Sequence, residues 1–88
     1  MNDDFDYVEA KYTETFDSVY YSLAQQKKAG TVTKDSLTLL LQDQYLYYDQ
    51  DMYGRSAIRN AAIEATIAAI QVHIVEWDEV EDELELLA

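Results

Sequence analysis

The sequence contains no cysteine and no proline, and only two of its 88 residues are glycine. Without cysteine, neither disulfide bonds nor thiolate metal sites can stabilise the fold. Turn-rich β-sandwiches and long linkers depend on glycine and proline, so their scarcity favours a helical protein. A chain of this length forms one small domain, and we expect residues 1–88 to make a single all-α unit.

Positive charge is also scarce. Six Lys and Arg residues stand against 18 Asp and Glu residues, which gives a formal net charge of −12. This charge excludes direct nucleic-acid binding through phosphate contacts and disfavours binding to an anionic membrane. Because no apolar run reaches about 18 residues and the N-terminus is acidic, the sequence predicts neither a spanning helix nor a signal peptide. We therefore expect a cytoplasmic protein.

A first helix is predicted over residues 3–29. Its apolar side chains recur at spacings of three and four: Phe5, Val8, Tyr12, Phe16, Val19 and Leu23. Lys27 and Lys28 lie in its last turn, where the helix dipole favours cations. Gly30 follows, and glycine most readily takes the left-handed conformation that ends a helix.

A second helix is predicted over residues 34–53, with Thr33 as N-cap and Val32 and Leu37 as a hydrophobic staple. It carries two apolar stripes. One stripe consists of Leu37, Leu41, Tyr45, Tyr48 and Met52, and the other of Leu39, Leu40, Leu46, Tyr47 and Tyr53. A helix with two apolar faces should be sandwiched, either inside the domain or between the domain and a partner.

A third helix is predicted over residues 55–87, after a stop at Gly54 and an N-cap at Ser56. Because no proline enforces this break, a kinked continuous helix is the alternative. At 1.5 Å per residue the third helix is ~50 Å long and the second is ~30 Å long. The C-terminal end of the third helix should therefore project from a three-helix bundle or helical hairpin. A heptad-like seam on this helix predicts a self-interface, through which a homodimer would form. The seam consists of Ile63, Ile67, Ile70 and Ile74.

Residues 76–88 form an acidic amphipathic end. Seven of the ten residues from Glu76 to Glu85 are acidic. Like-charge pairs at helical spacing there oppose helix formation by roughly 1.5–3.5 kcal/mol. Such locally unfavourable charge indicates either a solvated tail or a docking surface for a basic partner. The docking interpretation predicts these binding residues: Glu76, Trp77, Asp78, Glu79, Asp82 and Glu83.

Residues 43–53 combine tyrosines with aspartates. Tyrosine offers a large contact area with a polar tip, and neighbouring carboxylates suit Arg and Lys through ion pairs and cation–π contacts. The predicted binding residues of this segment are Asp43, Tyr47, Asp49, Asp51 and Tyr53. Tyr45 and Tyr48 lie on the other stripe, and a core position is the competing interpretation for both.

Patterns for catalysis or metal binding are weak. Asp49 and Gly54 match positions one and six of a calcium-binding loop, but Asn60 stands where a bidentate Glu is required. His73 and Glu76 are a pair at i, i+3, yet one His and one Glu are too few ligands. We expect His73 on the polar flank of the third helix. The sequence therefore predicts no enzyme, no metal and no cofactor.

The charge and the aromatic residues together predict a small acidic binding or inhibitor protein that occupies a basic surface of a nucleic-acid-binding protein. Carboxylates of the acidic end recur about every 2 Å along a helix, close to the one charge per ~1.7 Å of DNA, so they would mimic phosphates. Many phage and mobile-element inhibitors have this size and charge. One alternative is a homo-oligomeric helical structural or regulatory protein whose acidity serves solubility. Another is an acidic–aromatic segment that folds on the transcription machinery.

Overall fold

The computed structural model describes the backbone of residues 3–50 and 56–87 and the side chains of residues 6–49 and 56–80, and this part of the chain forms three helices. Helix α1 spans Asp3–Ala29, α2 spans Lys34–Gln50 and α3 spans Ala57–Leu87. The all-α prediction is confirmed for these residues, and α1 has the predicted bounds. The predicted end of α2 at Tyr53 and the start of α3 at Arg55 lie outside the described residues.

The turn between α1 and α2 is built around Gly30, which has a φ of 78°. The Thr31 N–H donates to the Gln26 carbonyl at 2.9 Å, and the Gly30 N–H donates to the Lys27 carbonyl at 3.1 Å. These two bonds form a Schellman motif, which satisfies carbonyls that a helix C-terminus leaves unpaired. The predicted glycine stop is therefore confirmed.

Side-chain caps begin the next two helices. Thr33 Oγ1 accepts the Ser36 N–H at 3.0 Å, and Ser36 Oγ accepts the Thr33 N–H at 2.8 Å, which is the reciprocal arrangement of a capping box. Ser56 Oγ accepts the Arg59 N–H at 3.2 Å at the start of α3. Both predicted N-caps are confirmed.

Helix α3 packs against both other helices and is the central element of the fold. Lys34 at the start of α2 pairs with Asp78, whereas Tyr48 near its end donates to Glu64 Oε1 at 3.0 Å. These contacts run in opposite order along the two helices, so α2 is antiparallel to α3. The described parts of α2 and α3 are therefore two separate helices, and Gly54, through which the sequence allowed a kinked continuous helix, lies outside the described residues.

The hydrophobic core lies where the three helices meet. Leu23 of α1, Leu37 of α2 and Ile70 of α3 form a buried cluster, and the exposed fraction is 1% at Leu37 and 0% at Ile70. Partly buried apolar side chains pack around this cluster: Val19, Val32, Leu41, Ile74 and Trp77. Val32 and Leu37 both belong to this core, so the hydrophobic staple brackets the α2 cap as predicted.

Helix α3 continues past the level at which α2 begins. Lys34, the first residue of α2, is paired with Asp78, and α3 extends nine further residues to Leu87. This extension is about 14 Å long at 1.5 Å per residue. The predicted projection of the acidic end beyond the core therefore agrees with the backbone. Among the described residues, no helix combines the length and the apolar character that a membrane crossing requires.

Candidate partner-binding surfaces

Polar side chains of α1 and α3 meet at one cluster, formed by Tyr20, His73 and Glu76. The Tyr20 hydroxyl donates to the Glu76 carboxylate, with oxygen–oxygen distances of 2.9 and 3.1 Å. The rings of Tyr20 and His73 stack with their centroids 4.3 Å apart and an angle of 24° between their planes. Glu76 is thus held against α1 and is not wholly available to a partner.

His73 is almost fully buried, with 2% of its surface exposed, so the prediction of a polar flank is wrong. Its Nε2 lies 2.8 Å from the backbone oxygen of Tyr20, and since a carbonyl only accepts, Nε2 carries the proton. Nδ1 is buried without a hydrogen-bond partner, 3.9 Å from Glu76 Oε2. Among the described residues no group of three or more His, Cys, Asp or Glu side chains is arranged to hold a metal ion. The hydrogen bond from Nε2 to the Tyr20 carbonyl joins α3 to α1.

The contacts within this cluster change the pKa of Tyr20. The pKa of Tyr20 is raised, first because its hydroxyl donates a hydrogen bond to Glu76, and further because of burial and the negative charge of that carboxylate. Each cause disfavours the negatively charged phenolate form of Tyr20. Tyr20 therefore stays a hydrogen-bond donor well into the alkaline range.

The start of the acidic end is tied to the other helices. Trp77 packs on the buried core cluster, and Lys27 Nζ lies 4.5 Å from the centroid of its ring. Asp78 pairs with Lys34. Of the predicted binding residues in this segment, Glu79 is exposed, and the side chains of Asp82 and Glu83 lie outside the described residues.

The isoleucine seam of α3 is occupied within the chain. Ile63 and Ile70 are buried, whereas Ile67 and Ile74 are half-buried. Three alanines of the same helix are also buried: Ala61, Ala65 and Ala69. The spacing correctly indicated an apolar contact, but the contact is made with α1 and α2. Self-association through this seam stays a prediction, for which only the half-buried isoleucines offer accessible surface.

The second apolar stripe of α2 faces solvent, so the first of the two expected arrangements, a helix sandwiched inside the domain, is wrong, and the second, a helix between the domain and a partner, stays a prediction. Leu39 is 63% exposed, Leu46 is 60% exposed and Tyr47 is about half exposed. Asp43 and Asp49 are exposed beside them. Of the other predicted residues of this segment, Asp51 and Tyr53 lie outside the described residues. The two leucines were not among the predicted binding residues, although their i, i+7 spacing on the second stripe was visible in the sequence.

Tyrosines of α2 divide differently from the sequence prediction. Tyr45 is exposed and accepts a hydrogen bond from the Gln71 amide, and Tyr48 is half-buried and donates to Glu64. Both therefore lie at the edges of the contact between α2 and α3, where the ring is partly covered and the hydroxyl reaches a polar partner. The core interpretation is wrong for Tyr45, which is 43% exposed, whereas Tyr48 is half-buried and its hydroxyl lies at the surface.

Comparison with known proteins adds no family to this picture. The chain has no significant match to a family model, to a curated protein or to a solved structure. A functional proposal must therefore start from the charge and geometry of the described residues.

Proposed function

We propose that this protein is a small acidic binding protein that occupies a basic surface of another protein, where that partner contacts nucleic acid. The observation that carries the proposal is a negatively charged surface on all three helices. The exposed acidic residues with described side chains are Asp6, Glu9, Glu14, Asp17, Asp35, Asp43, Asp49, Glu64 and Glu79. Net charge of this size creates a potential that attracts cationic surfaces over long distances.

Two of the six basic residues make intramolecular contacts. Lys27 lies over the Trp77 ring, and Lys34 pairs with Asp78. These two cations are thus engaged within the domain. The carboxylates would take the place of phosphates on the partner, and exposed apolar side chains would supply contacts that exclude water.

Binding of this kind should weaken steeply with salt, because ion pairs near a surface are screened. The partner is first captured from host lysate on the immobilised protein at low salt and identified. Affinity is then measured with purified partner at several salt concentrations, with and without duplex DNA as competitor. We expect salt-sensitive binding that DNA displaces. A complex whose affinity is independent of salt contradicts the proposal.

A homo-oligomeric helical protein is the second candidate function, in which acidity keeps the assembly soluble. The exposed leucines Leu39 and Leu46 favour it, because large apolar side chains on a surface mark contact sites. Light scattering over a range of protein concentrations separates the two candidates. A molecule that stays monomeric at every concentration eliminates the oligomer.

A further inference from the structure

We propose that the contact surface of this protein is the outer face of α2, defined by Leu39, Asp43, Leu46 and Asp49, and that it fits a protein surface whose apolar strip is bordered by Lys or Arg. This inference rests on the proposed function and names its site and the chemistry of its partner. It moves the contact away from the acidic end of α3, which the sequence indicated most strongly.

The outer face is the side of α2 opposite the core. Leu37 and Leu41 pack into the domain, and Tyr48 reaches Glu64 of α3. Leu39 and Leu46 are seven residues apart, which is close to two helical turns, so they lie one above the other about 10.5 Å apart. With roughly three-fifths of each leucine exposed, this pair forms an apolar strip that the described residues leave uncovered.

Charge decides what kind of surface can cover this strip. Asp35, Asp43 and Asp49 are exposed on α2, whereas the one basic residue of that helix, Lys34, is paired with Asp78. In a twofold symmetric dimer the same patch meets itself, which would bring the aspartates of the two copies together on chains that each carry a net charge of −12. Lys or Arg side chains at the border of an apolar strip would instead pair with them. The charge complementarity therefore favours a basic partner over a second copy.

The acidic end is less suited to be the contact itself. Glu76 accepts a hydrogen bond from the Tyr20 hydroxyl, Trp77 packs on the core, and Asp78 forms an ion pair with Lys34. A partner that took these groups would have to break contacts that hold α3 to α1 and α2. We assign to the acidic end the long-range attraction of the partner, and to α2 the short-range contact.

Two synthetic helical peptides of equal charge test the inference. One peptide carries a leucine strip bordered by lysines, and in the other every leucine is replaced by serine. Affinity is measured by calorimetry at low salt, and the contact is mapped by amide chemical shifts of the protein. The test variant is Leu39→Ser with Leu46→Ser. The matched control is Val75→Ser with Val80→Ser, which changes two apolar side chains of α3 that are more than half exposed. Thermal unfolding verifies that all proteins remain folded.

We expect the leucine–lysine peptide to bind at least roughly tenfold more tightly than the serine–lysine peptide, and the Leu39/Leu46 variant to lose that difference. The Val75/Val80 variant should bind within about twofold of the unchanged protein, and the shifted amides should lie on α2. Equal, salt-sensitive binding of both peptides, unaffected by the leucine changes, overturns the site on α2 but leaves the proposed function standing. Failure of both peptides to bind at low salt overturns both. Self-association that the leucine changes abolish shows that a second copy, and not a basic partner, covers α2.

Discussion

Replacing Leu37 by alanine should destabilise the fold far more than the same replacement at Leu39. The two leucines are two positions apart on α2, yet Leu37 is 1% exposed and Leu39 is 63% exposed. Leucine to alanine changes helix propensity only slightly and by the same amount at both positions. The difference between the two variants therefore measures the packing of Leu37 in the core that it forms with Leu23 and Ile70.

The magnitude follows from the burial of Leu37. A buried leucine truncated to alanine loses its transfer free energy and leaves a cavity, which together cost ~2–5 kcal/mol. For a chain of this size the whole free energy of unfolding is about 4–13 kcal/mol, so this loss is a large fraction of it. A loss of ~3 kcal/mol corresponds to a fall in Tm of roughly 12–24 °C. Leu39→Ala should change the free energy of unfolding by less than ~0.5 kcal/mol.

Urea and thermal unfolding, followed by circular dichroism, measure both variants. Because the stability of an oligomer depends on concentration, each variant is measured at two protein concentrations. Equal destabilisation by the two substitutions would refute an orientation of α2 in which Leu37 faces the core and Leu39 faces solvent. A greater loss at Leu39 would mean that the outer face of α2 is the covered one.

Two further predictions concern a cap and a titration. Thr33→Ala removes the Oγ1 acceptor of the Ser36 N–H and should lower the free energy of unfolding by ~1 kcal/mol. The control variant Thr38→Ala, inside α2, should change the free energy of unfolding little. Urea unfolding measures both variants. The second concerns Tyr20, whose raised pKa makes it ionise later than an ordinary tyrosine. Its contribution to stability is full below an unfolded-state pKa of about 10 and is lost as the pH rises above that value. The ultraviolet absorbance of phenolate, measured against pH, should lose a late component in Tyr20→Phe. An unchanged titration in this variant contradicts the hydrogen bond to Glu76.

Local signals in the sequence predicted the helices well. The caps at Thr33 and Ser56 and the glycine stop at Gly30 act within a few residues of chain, so the residues that decide them are adjacent in sequence. The seam of α3 was likewise predicted as a contact, since Ile63 and Ile70 share one face. The sequence assigned this seam to a self-interface, because an apolar seam has the same pattern whether it meets another helix of the chain or a second copy; in the structure Ile70 packs against Leu23 and Leu37.

The candidate sites depended on contacts between distant residues. Glu76 and Asp78 read as free acids in the sequence, but they contact Tyr20 and Lys34, which lie more than 40 positions away. His73 was expected at a polar flank because its neighbours in sequence gave no sign of a carbonyl of α1 within hydrogen-bond distance. No local pattern predicts such pairs, because they form only when the three helices pack.

The sequence by itself determined that this protein is an acidic, all-α chain with helix ends at defined caps, because composition and capping act locally. Only the tertiary structure decided which of the two apolar stripes of α2 is buried. Both stripes are rich in leucine and tyrosine, so hydrophobicity alone does not choose between them. The choice is made by the surface of α3, which receives Leu37 in the core beside Ile70 and leaves Leu39 in solvent.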